Sequence, residues 1–170
     1  MNFEYEHLLP ANFSEQSRVW IYQVSRRFGI GEALEIENIL NNFIEEWRSH
    51  GAPVKGYANL FFGQFLIFIA DESTVTVGGC STDSSVRVVK QVEEKFKVSM
   101  FDRQLLAFLV KDKVETIPLA QINYALENGI LTPETIYFNN LCNTLSDLKT
   151  NWLQPIEKSW LSKKLKPQIQ

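Results

Sequence analysis

An α+β fold is what this sequence predicts, with elements in the order β-α-β-β-α-β and a mixed helix-and-strand extension after them. Three observations carry that expectation. Two stretches repeat apolar residues at helical spacing. Four short runs are rich in aromatic and β-branched residues, as strands are. Gly, Pro, Asn and Ser clusters stand at the boundaries between them.

The elements follow in order. Residues 1–16 read as an N-terminal arm, because Pro10, Asn12 and Ser14 break any period. Arg18-Val19-Trp20-Ile21-Tyr22-Gln23-Val24 reads as the first strand, and Gly29 and Gly31 mark the turn after it. Ile36, Leu40, Phe43, Ile44 and Trp47 then fall on one face of a helix, which Gly51 and Pro53 are expected to stop. Two strands, 55–62 and 64–70, are joined at Gly63. Val86, Val89, Val92 and Phe96 give the apolar face of a second helix, with Ser81-Thr82-Asp83-Ser84 supplying capping oxygens ahead of it. A fourth strand runs over 104–110.

This succession, with a central hairpin between two helical crossovers, is the ferredoxin-like arrangement. The core is assigned to residues 17–112. Leu66-Ile67-Phe68-Ile69 and Leu105–Val110 are apolar on both faces, whereas a sheet with one wet face alternates. A second cover is therefore expected, from residues 113–162 or from another subunit. In that extension Val114-Glu115-Thr116 extends the sheet, Pro118 opens a short helix that ends at Gly129, and Thr135–Phe138 is a short strand. Thr144-Leu145-Ser146-Asp147 caps a last helix. Leu148, Trp152, Ile156 and Trp160 follow at steps of four, and Pro155 is expected to kink this helix or divide it into two short ones. Residues 163–170, with Lys163-Lys164-Leu165-Lys166, read as a solvated tail.

Composition narrows the function classes. Nearly half the residues are apolar, which excludes global disorder. A net charge of -3 is unlike the basic footprint of a duplex-binding protein, and no RNP-type pattern is present, so no nucleic-acid partner is expected. The acidic start has no apolar h-region, and the longest apolar run is half a membrane span, so the expectation is a cytoplasmic chain without a membrane partner. Cys80 and Cys142 are two well-separated cysteines, expected to be reduced thiols.

The only local arrangement with chemical potential is Gly78-Gly79-Cys80-Ser81-Thr82-Asp83-Ser84-Ser85. Unpaired N–H groups at a helix start favour an anion or a thiolate. Gly79, Ser81, Thr82 and Ser84 are thus the candidate anion-binding residues, and Cys80 the candidate nucleophile, with Asp71 or His50 to assist it. The plainer reading is preferred for each. The Gly pair turns the chain, a hydroxyl caps the helix, Cys80 packs as a small apolar residue, and Asp83 already answers the helix dipole. His50 is then a helix-end histidine and Asp71 the polar end of a hairpin. No P-loop, GxGxxG, GxSxG or zinc spacing occurs, so neither cofactor nor metal is expected.

Several strings together resemble a family of small proteins from bacteria of the Bacteroidetes group. They are Arg18-Val19-Trp20-Ile21-Tyr22, Trp47 with His50-Gly51-Ala52-Pro53, Gly79 to Val86, and Phe101-Asp102-Arg103. The likeness spans roughly residues 17–162. Members are sometimes labelled "ABC transporter ATPase", but the P-loop and LSGGQ-type signature that such chemistry needs are missing here. The resemblance implies a family and assigns no residue a role. Residues 117–160, with Gly129-Ile130-Leu131-Thr132-Pro133-Glu134 and a late Trp152, are similar to small GYF-like modules. The function expected from all of this is a non-enzymatic interaction domain that binds a protein partner or itself, a homodimer included. The alternative is a thiol-dependent enzyme or small-anion binder at Gly79-Cys80-Ser81.

Overall fold

A computed structural model describes residues 2–76 and 79–165, with the side chains of 79–81 outside the description. The chain is α+β, built on two antiparallel sheets. The arm leads into β1 (Arg18–Gln23), then α1 (Ile30–Glu46). A tight hairpin of β2 (Arg48–Ser49) and β3 (Ala52–Pro53) follows, then β4 (Lys55–Phe61), β5 (Phe65–Asp71) and α2 (Gly79–Phe96). The first sheet has the order β1-β5-β4. The remaining elements are β6 (Leu105–Val110), β7 (Lys113–Pro118), α3 (Ile122–Glu127), β8 (Ile136–Phe138), α4 (Leu145–Asn151) and β9 (Leu153–Pro155). The second sheet has the order β7-β6-β8-β9.

Local chemistry explains most of these elements. Ile36 and Leu40 bury the inner face of α1, and Glu32 closes a capping box on the Gly29 N–H at 2.8 Å. Phe62 and Gly63 both have positive φ at the β4–β5 turn, where a tight hairpin demands it. Thr144 caps α4 by accepting from the Asp147 N–H at 3.1 Å, as expected.

Both faces of the first sheet are covered. Leu66 and Phe68 of β5 pack with Ile36 and Leu40 of α1 and Val89 and Val92 of α2. Phe65, Ile67 and Ile69 point the other way, into a core shared with Tyr5 and Leu9 of the arm and with Phe138, Leu145, Leu148 and Trp152. Behind the second sheet, Leu106, Phe108 and Tyr137 pack on Ile122, Ala125, Ile156 and Leu161. The layers therefore run from α1 and α2 through two sheets to α3 and the C-terminal 3-10 turns. The doubly apolar strands are explained by cover from within this chain.

Five expectations are corrected. The fourth strand, Leu105–Val110, does not join β1, β4 and β5 in one ferredoxin-like sheet; it is hydrogen-bonded between β7 and β8. The boundary drawn at 112 falls inside the β6–β7 hairpin, whose turn residues Lys111 and Asp112 have positive φ. The first helix ends at Glu46, and His50 and Gly51, both at positive φ, form the β2–β3 turn instead of a helix stop. The last helix ends at Asn151: Leu153–Pro155 is a strand paired with β8, so Trp152 and Ile156 reach different cores. The second helix starts at Gly79, which places Thr82 and Ser84 within its first turns rather than before them.

Candidate functional site

Antiparallel ladders alternate, so every second residue of an edge strand turns its N–H and C=O away from the sheet. Two bonds set the phase for β1. Val24 N–H donates to Gln64 O, toward β5, and Val19 N–H donates outward to Asn143 O at 3.0 Å. Ile21 and Gln23 share the phase of Val19. Their outward N–H and C=O groups have no backbone partner among the described residues, because β1 pairs with β5 alone and touches Thr144 by a single bridge at Arg18.

That open edge lines a cleft of about 340 Å³ between β1, residues 100–106 and residues 137–143. The outward backbone edge of β1 is closed on either side of this stretch. The Val19–Asn143 bond shuts one, and Ser25 N–H donating to Ser99 O at 2.9 Å shuts the other. On the core side, the Gln23 side chain crosses to the second sheet: its Nε2 donates to Leu105 O at 3.0 Å and its Oε1 accepts from Asn140 Nδ2 at 2.9 Å. Asn140 Oδ1 in turn accepts from Trp152 Nε1 at 3.1 Å.

The lining is mostly apolar. Leu141 and Phe101, which are 66% and 40% exposed, are the large apolar side chains that the lining offers to solvent. Phe101 meets Tyr22 edge-on with centroids 5.6 Å apart. Burial raises the Tyr22 hydroxyl above its ordinary value, against the pull of Ser85 and Arg103. Cys142, also on the lining, is a buried thiol: burial first, then the Asp147 charge, pushes it up to about 12.

The sequence-derived candidates lie elsewhere. Asp71 ends β5 and is only 2% exposed. Its carboxylate accepts from Ser14 N–H at 3.0 Å and Ser73 N–H at 2.9 Å, and Lys55 Nζ lies 3.3 Å away. The Ser73 hydroxyl first, then these groups, hold it far below the usual carboxylate range, which makes it a poor base at neutral pH. Asp71 fastens the arm, since Lys55 also donates to Asn12 O at 2.7 Å. His50 is exposed in the β2–β3 turn, and Ser49 Oγ ties that hairpin to Thr76 O at 2.7 Å. No hydrogen bond or ion pair joins His50 to Asp71 among the described residues. Thr82 uses its C=O to accept from Ser85 Oγ at 2.7 Å, and Ser84 lines a groove between α1 and α2. The contacts of Gly79, Cys80 and Ser81 lie outside the described residues.

Sequence reasoning missed Ile21, Gln23, Asn140 and Leu141. Their role comes from backbone direction and from which strand stands beside β1, neither of which a side-chain pattern reports. Phe101 and Arg103 entered only through the family-like string. Among the described residues no group of His, Cys, Asp and Glu is arranged to hold a metal ion, and no helix is long and apolar enough to cross a membrane. The chain matches no family model, no curated protein and no solved structure.

Proposed function

We propose that this chain is a non-enzymatic, cytoplasmic protein-interaction domain that receives an extended segment of a partner polypeptide along β1. The supporting observation is the pair of unpartnered outward backbone groups at Ile21 and Gln23, set inside a cleft. Backbone polar groups that lose water need partners. An extended peptide offers N–H and C=O at the same alternation, which is recognition by strand addition. The two end closures are six residues apart on β1, about 20 Å at 3.3 Å per residue, which suits a segment of four or five residues. Phe101 and Leu141 would contact its side chains.

The fold supports the same reading. The order β1-β5-β4 is that of the first, third and second strands of a ferredoxin-like sheet. On that kinship the place beside β1 belongs to a fourth strand. Here β6 is drawn into the second sheet, and the cleft occupies the place it leaves.

The test is a screen of short peptides by fluorescence polarisation, followed by the Ile21→Pro variant. Proline removes the outward N–H without breaking the β1–β5 ladder. Peptide binding that Ile21→Pro abolishes, with the fold intact by circular dichroism, is the expected result. Binding unaffected by Ile21→Pro, or no peptide bound across the library, would refute the proposal.

A further inference from the structure

Among the described residues Arg103 has no carboxylate partner, and it stands exposed on the lining of the β1 cleft. Its charge reaches the Tyr22 hydroxyl, which it pulls down against the effect of burial. The other charged residue on the lining, Asp102, is turned back onto its own loop, where its Oδ1 accepts from Gln104 N–H at 2.9 Å. Farther along the wall, Lys163 Nζ lies 5.4 Å from the ring centroid of Trp160, a second cation beside the lining. A cleft that takes backbone from a partner and holds an unpaired guanidinium is complementary to an anion on that partner.

The pleat fixes where on the partner that anion must be. Successive side chains of β1 turn to opposite faces. Tyr22 faces the helical layer, meeting Phe68 edge-on at 5.8 Å and Phe101 at 5.6 Å. Ile21 faces the other way, against the core that contains Phe138 and Cys142. Cross-strand neighbours in a sheet share a face. In an added strand, the residue opposite Tyr22 therefore turns toward Phe101 and Arg103, and the adjacent residue, opposite Ile21, turns toward Phe138 and Cys142.

We infer that the polypeptide received in this cleft carries an acidic residue opposite Tyr22, held by Arg103, beside an apolar residue opposite Ile21. The inference rests on strand addition at β1 and names the partner's chemistry: an extended segment in which Glu or Asp adjoins an aliphatic or aromatic residue. Backbone bonds at Ile21 and Gln23 are indifferent to sequence, so this pair of side chains supplies the selectivity. A carboxylate matches the planar guanidinium with two parallel bonds, whereas an amide brings no charge and an ammonium is repelled.

The test is a fluorescence-polarisation titration of the full chain with end-blocked, identically labelled five-residue peptides of Val, in which the central residue is Glu, Gln or Lys. The Glu peptide should bind about tenfold or more tightly than the Gln peptide, with the Lys peptide weakest, and high salt should shrink the difference. Arg103→Gln should erase the preference and Arg103→Glu should turn it toward Lys; neither change removes a side-chain contact that the fold uses. Equal binding of the Glu and Gln peptides, still lost in Ile21→Pro, overturns this inference and leaves strand addition at β1 standing. A Glu preference that survives Arg103→Gln overturns it as well. Binding by none of the peptides removes both readings.

Discussion

Trp152 donates its indole N–H to the side-chain oxygen of Asn140 at 3.1 Å, from the centre of an aromatic cluster that joins the two sheets. Tyr5 and Phe65 meet the same indole edge-on at 4.9 and 5.3 Å, and Phe62 stacks on it at 5.6 Å. Asn140 passes the connection to Gln23, so one polar chain runs from the buried core to the wall of the β1 cleft.

Asn140→Ala leaves Trp152 Nε1 and Gln23 Oε1 without these partners, at a cost of about 1–3 kcal/mol for each group that stays buried. Trp152→Ala should cost about 3–5 kcal/mol, since it also opens a cavity among five aromatic rings. Urea denaturation measures both. A double-mutant cycle of Gln23→Ala with Asn140→Ala should show coupling of about 0.5–3 kcal/mol, and additivity would mean that the bridge is not formed.

Acid should loosen the arm and the start of α1 together. The Asp71 carboxylate lies far below its ordinary 3.8, held first by the Ser73 hydroxyl and then by Ser14. Glu32 is lowered from 4.5 to about 2, first by its hydrogen bond with Arg26 and then by Gly29 N–H. Both folded values are depressed. The stabilisation is therefore complete above the unfolded values and is lost as pH falls through the window from about 4.5 toward 2. Asp71→Asn should lose about 1.5–3 kcal/mol at neutral pH and show a shallower fall in acid. Equal acid slopes in the two proteins would exclude Asp71 as a contributor.

Gly56→Ala tests the packing of α1 on β4. A Cβ there would fall 2.5 Å from Trp47 Cε3, and the buried indole has no flexible end to withdraw. The expected cost is about 1–3 kcal/mol, with a change in Trp47 fluorescence, and a neutral substitution would show that the helix yields freely.

Cys142 should be slow to react. In a Cys80→Ser background, Ellman's reagent at neutral pH should label the folded protein far more slowly than the urea-unfolded chain, because the thiol is pushed up to about 12 and is buried. Labelling at the unfolded rate would contradict the burial of the 139–143 loop.

Side-chain order alone determined the class of this protein, most of its strands, both long helices and the need for two covered sheet faces. Those features rest on short-range patterning: Ile36 and Leu40 repeat at helical spacing, Gly63 accepts a left-handed turn, and Phe65–Asp71 is apolar throughout. Tertiary structure decided where Leu105–Val110 pairs. A strand apolar on both sides is content in either sheet, and the choice of β7 and β8 over β1 depends on a hairpin turn and on residues some thirty positions away. Trp152 and Ile156 keep helical spacing yet flank a strand, because β8 offers Leu153–Pro155 a ladder and Pro155 cannot continue a helix. The open edge at Ile21 is an absence of backbone partners. Every residue but proline carries the same N–H and C=O, so only the assembled sheets reveal which of those groups remain unpaired.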